Sequence, residues 1–296
     1  MEYVKKAENI SLKELNDLIH NLQRSVIGLQ KKRIRIVRKS QRKKKEGNGG
    51  LAVFHYRAIM RQNIHPSGML TVAIHSAGSR TSVALFQAAK LLCEKTWKSR
   101  RDEAEKIMPE LLKMLKKKGK NWKNLREVFV IGGPGPFTGL RVGVTIANTL
   151  AWTAQCPMKS ATVFEYELAR VPVAKRRSTA IIVRSGGDTV AARLPGAKKE
   201  KILSLTALPD YLAGSTTRYL AADIKPEDLV KLQKALRDLS PVIKIFRQNE
   251  LETFGNTAMH LMRSRRIKTV RMVKPLYLQK PHITKSKKET FAVEAQ

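Results

Sequence analysis

From residue 69 onward the apolar positions fall into short runs and then into helical spacing. Met69-Leu-Thr-Val-Ala-Ile74 and Thr81-Ser-Val-Ala-Leu85 are rich in β-branched and aliphatic side chains. They predict strands over 70–75 and 81–87, joined by a turn around Gly78, with a third strand over 91–97. Ala104, Ile107, Met108, Leu111, Leu112 and Leu115 then recur at three and four residues, which predicts a helix over 100–117. Ser99 is placed to cap it and Gly119 lies just past its end. Val128 to Ile131 forms the heart of a strand over 127–132. A tight turn follows, in which Gly132, Gly133 and Gly135 open backbone angles and Pro134 and Pro136 stiffen the chain. Thr138 is placed to cap a helix over 139–155. Along that helix Gly139, Gly143 and Ala147 fall four apart, so one face is almost bare and another helix can approach it.

The second half repeats the theme more faintly. Thr179–Arg184 and Thr189–Leu194 read as a hairpin about Gly186 and Gly187. Pro226 suits the first turn of a helix over 226–239, and Val242–Phe246 reads as a strand. A helix over 251–264 turns Leu251, Phe254, Ala258, Leu261 and Met262 inward. Before residue 69 the pattern is of another kind. Ser11-Leu-Lys-Glu14 is a capping box, and Leu12, Leu15, Leu18, Ile19, Leu22, Val26 and Leu29 keep helical spacing behind it. Residues 31–45 then carry ten basic side chains and no acid, ending at the Gly47-Asn-Gly-Gly50 linker.

The segment GPGPFTGLRVGVTIANTLAW, beginning at Gly133, resembles the GPGSFTGLRIG-type signature of the TsaB (YeaZ) family. The likeness extends to the two strands around Ile74 and Val83. It resumes at Val273-Lys-Pro-Leu-Tyr-Leu-Gln-Lys-Pro281, similar to the family's closing P-x-Y-L-R segment. It is weak over 160–265 and absent over 1–68. Because it begins at Met69, that residue is a second candidate for the biological start. Three strands, helix, strand, helix is the order of an actin/Hsp70-like lobe, and the resemblance implies the same: an α/β, two-lobed, ribonuclease-H-like (ASKHA) fold behind a basic helical extension. The expected division is an extension and linker over 1–50, a connector over 51–68, a first lobe over 69–170, a second over 171–284 and a polar tail over 285–296.

The resemblance further implies a non-catalytic subunit that binds and activates a TsaD-like catalytic paralogue in making N6-threonylcarbamoyladenosine at position 37 of tRNA. A TsaE-like ATPase and tRNA would be reached through that complex, and members also pair with themselves. No tightly bound cofactor is implied, since ATP and Mg²⁺ are used by the partner complex. The signature turn comprises Gly133, Pro134, Gly135, Phe137, Thr138 and Arg141. The expected docking face lies on the helices at 100–117 and 139–155, through Glu103, Ile107, Leu111, Gly139, Leu140, Gly143 and Ala147.

Departures from the family pattern bear on chemistry. Where members open with A-I-D-T-S this chain has Ala73-Ile-His75-Ser-Ala77, so His75 replaces a carboxylate. Imidazole is a poor ligand for hard Mg²⁺, which argues against nucleotide hydrolysis there. Glu103 stands at the family's helix histidine, and Val183-Arg-Ser-Gly-Gly-Asp188 keeps only the glycine and acid of a D-A-R-x-G-E-like hairpin. His20, His55, His65, His75, His260 and His282 include no H-x-x-x-H pair, the metal-binding spacing that the catalytic paralogue carries. The G-x-x-x-x-G-K-[ST] phosphate loop is absent, and Gly133, Gly135 and Gly139 give GxGxxxG, one residue too long for the dinucleotide fingerprint. The glycine turn therefore reads as packing rather than phosphate binding.

Composition adds one strong statement. In 296 residues the formal charge is +34, and the excess is not confined to the first 68. Such a field favours nucleic acid, anionic surfaces or acidic partners. The candidate RNA-contacting side chains are Lys31, Lys32, Arg33, Arg35, Arg38, Lys39, Arg42, Lys43, Lys44 and Lys45, with a solvated basic linker as the plainer reading. Two cysteines far apart, no apolar run of membrane-spanning length and no secretory leader predict a cytoplasmic protein. Two other functions stay open: an actin-like ATPase or kinase in its own right, and a basic RNA- or ribosome-associated protein.

Overall fold

The computed structural model describes residues 69–278, except 89, 187, 188, 225 and 238–242. The expected helix over 11–29, the basic run 31–45, the connector 51–68 and the tail from 285 lie outside the described residues.

The chain builds one topology twice. The first copy runs β1 (Leu70–His75), β2 (Arg80–Gln87), β3 (Lys90–Lys98), α1 (Glu103–Lys117), β4 (Leu125–Ile131), α2 (Phe137–Ala154), β5 (Met158–Ala161) and α3 (Val163–Arg170). The second runs β6 (Thr179–Gly186), β7 (Thr189–Arg193), β8 (Lys201–Ser204), α4 (Leu208–Ala213), β9 (Tyr219–Asp223), α5 (Pro226–Arg237), β10 (Lys244–Ile245) and α6 (Phe254–Arg263). Two-residue β11 (Thr269–Val270) closes the described chain. The first sheet is ordered β11-β5-β4-β1-β2-β3 and the second β10-β9-β6-β7-β8. In each copy the first strand pairs antiparallel with the second and parallel with the fourth, and the fourth pairs parallel with the fifth. This duplicated 3-2-1-4-5 order with an antiparallel second strand is the two-lobed, ribonuclease-H-like arrangement of actin-like proteins.

β1 and β2 are buried along nearly their whole length, as expected of central strands covered on both faces. α1 and α2 cover one face of the first sheet. On the inner side the copies exchange helices. α3, which ends the first copy, packs on β6 and β9 of the second, whereas α6, which ends the second, packs on β2 and β3 of the first. The two helices also pack on each other. One core therefore runs through both sheets, joining Val72, Phe86, Phe129 and Phe164 to Ile181, Ala221, Phe246 and Phe254. A smaller cluster, including Ile182, Leu208, Leu220 and Leu232, lies beneath α4 and α5.

Several boundaries differ from expectation. α1 starts at Glu103 behind Asp102, without a side-chain cap; Ser99 instead hydrogen-bonds the Glu103 carboxylate. Thr138 lies inside α2, whose N-cap is Pro136. β5, α3, β8, α4 and β9 were not expected at all; they are short, and β8 is largely exposed, so neither periodicity nor a long apolar run marks them. Residues beyond Leu251 return to the first sheet through α6 and β11, whereas the sequence division assigned everything to 284 to the second lobe. Among the described residues no helix is long and apolar enough to cross a membrane.

Candidate functional site

The two copies meet at their strand ends. His75 is the last residue of β1 and Asp223 the last of β9. The Ser79 amide, in the turn after β1, donates to both Asp223 carboxylate oxygens at 3.0 and 3.1 Å. Gly78 leaves the space for this: a Cβ there would sit 2.3 Å from Asp223 Oδ2 and 3.1 Å from His75 Nε2. Glu167 on α3 completes a cluster in which one donor atom from each of His75, Glu167 and Asp223 lies within 4.8 Å of the others. Tyr166 meets the imidazole edge-on, with ring centroids 4.7 Å apart, and Phe254 of α6 stacks at 6.1 Å. Both exchanged helices thus wall the histidine.

Burial sets the protonation of this cluster. Burial, with Arg170 adding to it, holds His75 neutral and lowers its pKa to about 3. Its Nδ1 accepts the Ala77 amide at 3.3 Å, so the ring hydrogen resides on Nε2. Burial pushes Glu167 up to about 7; the Asp223 charge adds to that, and Arg170 opposes it. Arg170 pairs with Glu167 at 3.1 Å, donates to the Glu252 carbonyl and reaches Gln248. Asp223 is pushed up by burial against the Ser79 bonds. The fit to a metal is poor. A ligand nitrogen needs a lone pair, but here Nδ1 is committed to the backbone and Nε2 carries a hydrogen. One carboxylate is already matched to a guanidinium, and hard Mg²⁺ wants oxygen ligands throughout. The cluster ties the lobes together and holds protons. It offers no exposed nucleophile.

The signature turn is gripped from three sides. Leu276 donates its amide to the Gly132 carbonyl at 2.8 Å, and Val163, the first residue of α3, donates to Gly133 at 2.7 Å. A Cβ at Gly133 would meet the Leu276 carbonyl at 2.6 Å, and one at Gly135 would meet the Ala77 carbonyl at 1.9 Å. The glycines therefore admit neighbouring backbone. This is the packing role that the sequence favoured. The closing segment completes the grip. Arg141 lies over the Phe137 ring, 3.7 Å from its centroid, and donates Nε to the Tyr277 hydroxyl at 2.9 Å. Phe137 and Tyr277 rings lie 4.7 Å apart. Asn148 and Val273 exchange two hydrogen bonds of 2.9 Å. The two stretches that carry the family likeness, far apart in sequence, are thus one packed unit. Beside them a cavity of about 280 Å³ is lined by Ser160, Thr162, Glu165, Met272 and Leu276, among others.

The expected docking residues are not at a surface. Glu103, Ile107, Leu111, Gly139, Leu140, Gly143 and Ala147 are all buried within the fold. The small-residue ridge faces the end of β1: Ser76 Oγ donates to the Gly139 carbonyl at 2.8 Å, and a Cβ on Gly143 would fall 1.9 Å from that hydroxyl. Four-residue spacing of glycine signals close approach, here by the protein's own strand end rather than by a partner. What α1 and α2 leave outside is another set, including Thr145, Thr149 and Trp152, the last 54% exposed. Sequence reasoning singled out His75 but missed Glu167 and Asp223, which lie in stretches without a motif. Of the hairpin at 183–188, Asp188 is outside the described residues, as are all ten candidate RNA-contacting side chains of 31–45.

The family described as TsaD, tRNA N6-adenosine threonylcarbamoyltransferase, matches residues 90–189. The tRNA threonylcarbamoyladenosine biosynthesis protein TsaB of Bacillus subtilis is 28% identical over 97 residues, 33% of this chain and 42% of that protein. The chain thus matches less than half the length of this curated relative. YeaZ from Pseudomonas aeruginosa superposes with a TM-score of 0.43 at 20% identity, covering 57% of this chain and 92% of its own. A second Pseudomonas aeruginosa structure, described as similar to peptidase YEAZ, gives a TM-score of 0.45 at 19% identity over the same shares. The sequence matches support the resemblance to the TsaB/YeaZ family, and the fold rests on the duplicated strand order itself.

Proposed function

We propose that this chain is a non-catalytic, TsaB-like subunit in tRNA threonylcarbamoyladenosine biosynthesis, binding and activating a TsaD-like catalytic paralogue. The observation that carries this reading is the packed unit of signature turn and closing segment, Gly132–Arg141 against Val273–Tyr277. Those residues carry the family likeness, and they build architecture rather than a reaction centre. The neutral, walled-in His75 supports the same reading. ATP, Mg²⁺ and a TsaE-like ATPase enter through the complex, and this chain holds no cofactor tightly.

The docking surface in this reading is the outer face of the two helices already singled out. Trp152, in the last turn of α2, is its large exposed aromatic, and Thr145 and Thr149 are also exposed on α2. A large exposed aromatic is a usual anchor of a protein interface. The test is co-elution of the full chain with the TsaD-like protein of the same genome on a sizing column. A one-to-one complex that Trp152→Glu abolishes, at unchanged melting temperature, supports the reading. Absence of a complex with the unmutated chain overturns it. An ATPase acting alone is the weaker reading, because the first-strand carboxylate is missing; a rise in melting temperature with Mg-ATP would revive it.

A further inference from the structure

After α6 the chain runs as an exposed strap through β11 to Tyr277, along the open edge of the first sheet. From Arg263 to Lys274 its sequence holds no acid. Arg265, Arg266, Lys268, Arg271 and Lys274 are all exposed, and none makes an ion pair with a described residue. Lys95, Lys106, Lys113, Lys159, Arg170, Arg193 and Lys244 each meet a carboxylate, whereas Lys98, Arg100 and Arg101, and Lys198, Lys199 and Lys201, are also exposed and make no ion pair with a described residue. Lys116 and Lys117 stand in the last turn of α1, where they offset the negative pole of the helix. An edge strand is commonly blunted by a charge or two. Five unpaired cations around two paired residues go well beyond that.

The strap is also held in shape. Val273 is fixed by Asn148, Leu276 by the Gly132 carbonyl, and Tyr277 by Arg141 and Phe137. Its cations therefore extend from a backbone anchored at β11 and again at Val273–Tyr277, where the Tyr277 ring is still 36% exposed. A row of cations leading to an aromatic is the arrangement that binds nucleic-acid backbone and stacks a base. Insertion into a membrane would need several projecting apolar side chains. On the strap Met272 is 61% exposed, and Val270, Leu276 and Tyr277 are only 36–41% exposed.

We propose that the strap from Arg265 to Tyr277 is an RNA-binding strip, taking backbone phosphates on its five cations and an unpaired base at Tyr277. The choice of RNA among polyanions rests on the tRNA-linked function proposed above; the strip itself rests on the charge and geometry of the strap. The chain would then touch RNA directly, not only through its partner.

The experiment uses the full chain, a fluorescent RNA stem-loop and anisotropy across a salt series. Arg265→Glu/Arg266→Glu/Lys268→Glu/Arg271→Glu is compared with a control of equal charge change, Lys116→Glu/Lys117→Glu/Lys118→Glu/Lys120→Glu. The run at 31–45 is intact in both and contributes equally. The strap variant is expected to bind at least about tenfold more weakly than the control. Its slope of log K against log salt should be shallower by about 3, at roughly 0.7 per lost single-strand phosphate contact. Equal losses in the two variants would mean diffuse charge and overturn the strip. So would an unchanged strap variant, or strap-dependent binding to phosphatidylserine vesicles without strap-dependent RNA binding. Unchanged melting temperature and co-elution with the TsaD-like protein show that the variant is folded. Failure of co-elution in the unmutated chain would remove the subunit reading and leave the RNA comparison standing.

Discussion

The two lobes share a strand order and little else. In the first, α1 and α2 have 15 and 18 residues, and β1 and β2 are sealed between layers. In the second, the matching helices have 6 and 12 residues, β10 has two, and β8 is mostly exposed. Apart from Gly119, which faces open space just past α1, described glycines mark the same contrast. Gly135 and Gly143 of the first lobe have no room for a Cβ, whereas Gly196 and Gly214 of the second face open space. One lobe is a tightly packed platform. The other is a lighter copy whose principal polar contribution to the junction is Asp223.

The largest test of this contrast is a methyl group. At Gly135 a Cβ would meet the Ala77 backbone carbonyl at 1.9 Å, and backbone cannot step aside as a side-chain tip can. Gly135→Ala is expected to cost about 3 kcal/mol or more, at or beyond the upper end of overpacking penalties. Gly214→Ala should stay within about 0.5 kcal/mol. Melting curves of the two variants check this, and comparable losses would break the contrast.

The junction should show itself in pH. Glu167, raised by burial to about 7, binds its proton more tightly folded than unfolded, so its contribution to stability is lost as pH rises from its ordinary value of 4.5 to about 7. His75, lowered from 6.5 to about 3, does the reverse: the unfolded chain binds the extra proton, so stability is gained as pH rises through that window. The two limbs oppose each other between pH 4.5 and 6.5, and Asp223, also raised, adds to the falling one. Glu167→Gln removes one falling limb. Its stability relative to the parent should climb by up to about 1.4 kcal/mol per pH unit across that range. Urea midpoints at several pH values measure it, and a constant offset would refute the buried-carboxylate account.

Smaller effects separate bonding from charge. Asp223→Ala leaves the Ser79 amide without its acceptor and should cost about 1–3 kcal/mol. Asp223→Asn keeps an acceptor and should cost less; the reverse order would mean that charge holds the junction. Smallest are the caps of the exchanged helices. Thr162 and Glu165 form a reciprocal capping box on α3, while Thr253 caps α6 without a return bond. Thr162→Ala should cost about 1 kcal/mol and Thr253→Ala less, read from denaturant midpoints.

These differences also explain what the sequence made legible. Val72, Val83 and Val128 lie in apolar runs long enough to announce strands, so the first lobe could be drawn as far as α2 before any coordinates, but not its β5 and α3. The second lobe's β9 is built around Ala221 and Ala222, and its α4 is less than two turns long; neither makes a periodic signal. The ridge Gly139–Gly143–Ala147 correctly announced a close approach, but spacing carries no information about what approaches, and Ser76 filled the place assigned to a partner. His75 drew notice as a departure from a family pattern. Its companions Glu167 and Asp223 became visible only when the duplication brought the end of β9 against the end of β1.

The exchange of α3 and α6 has a consequence for how the protein is made. The inner face of β2 and β3 is covered by a helix that begins at Phe254, long after those strands have left the ribosome. There the Gly255 amide reaches the Glu94 carboxylate, and Leu91 packs against the Gly255 backbone. A nascent chain halted just before that glycine carries a first sheet that lacks β11 and has one side bare. The earliest lobe to be synthesised is thus the last to be sealed, and premature termination anywhere in the second lobe yields a sticky fragment rather than a stable half.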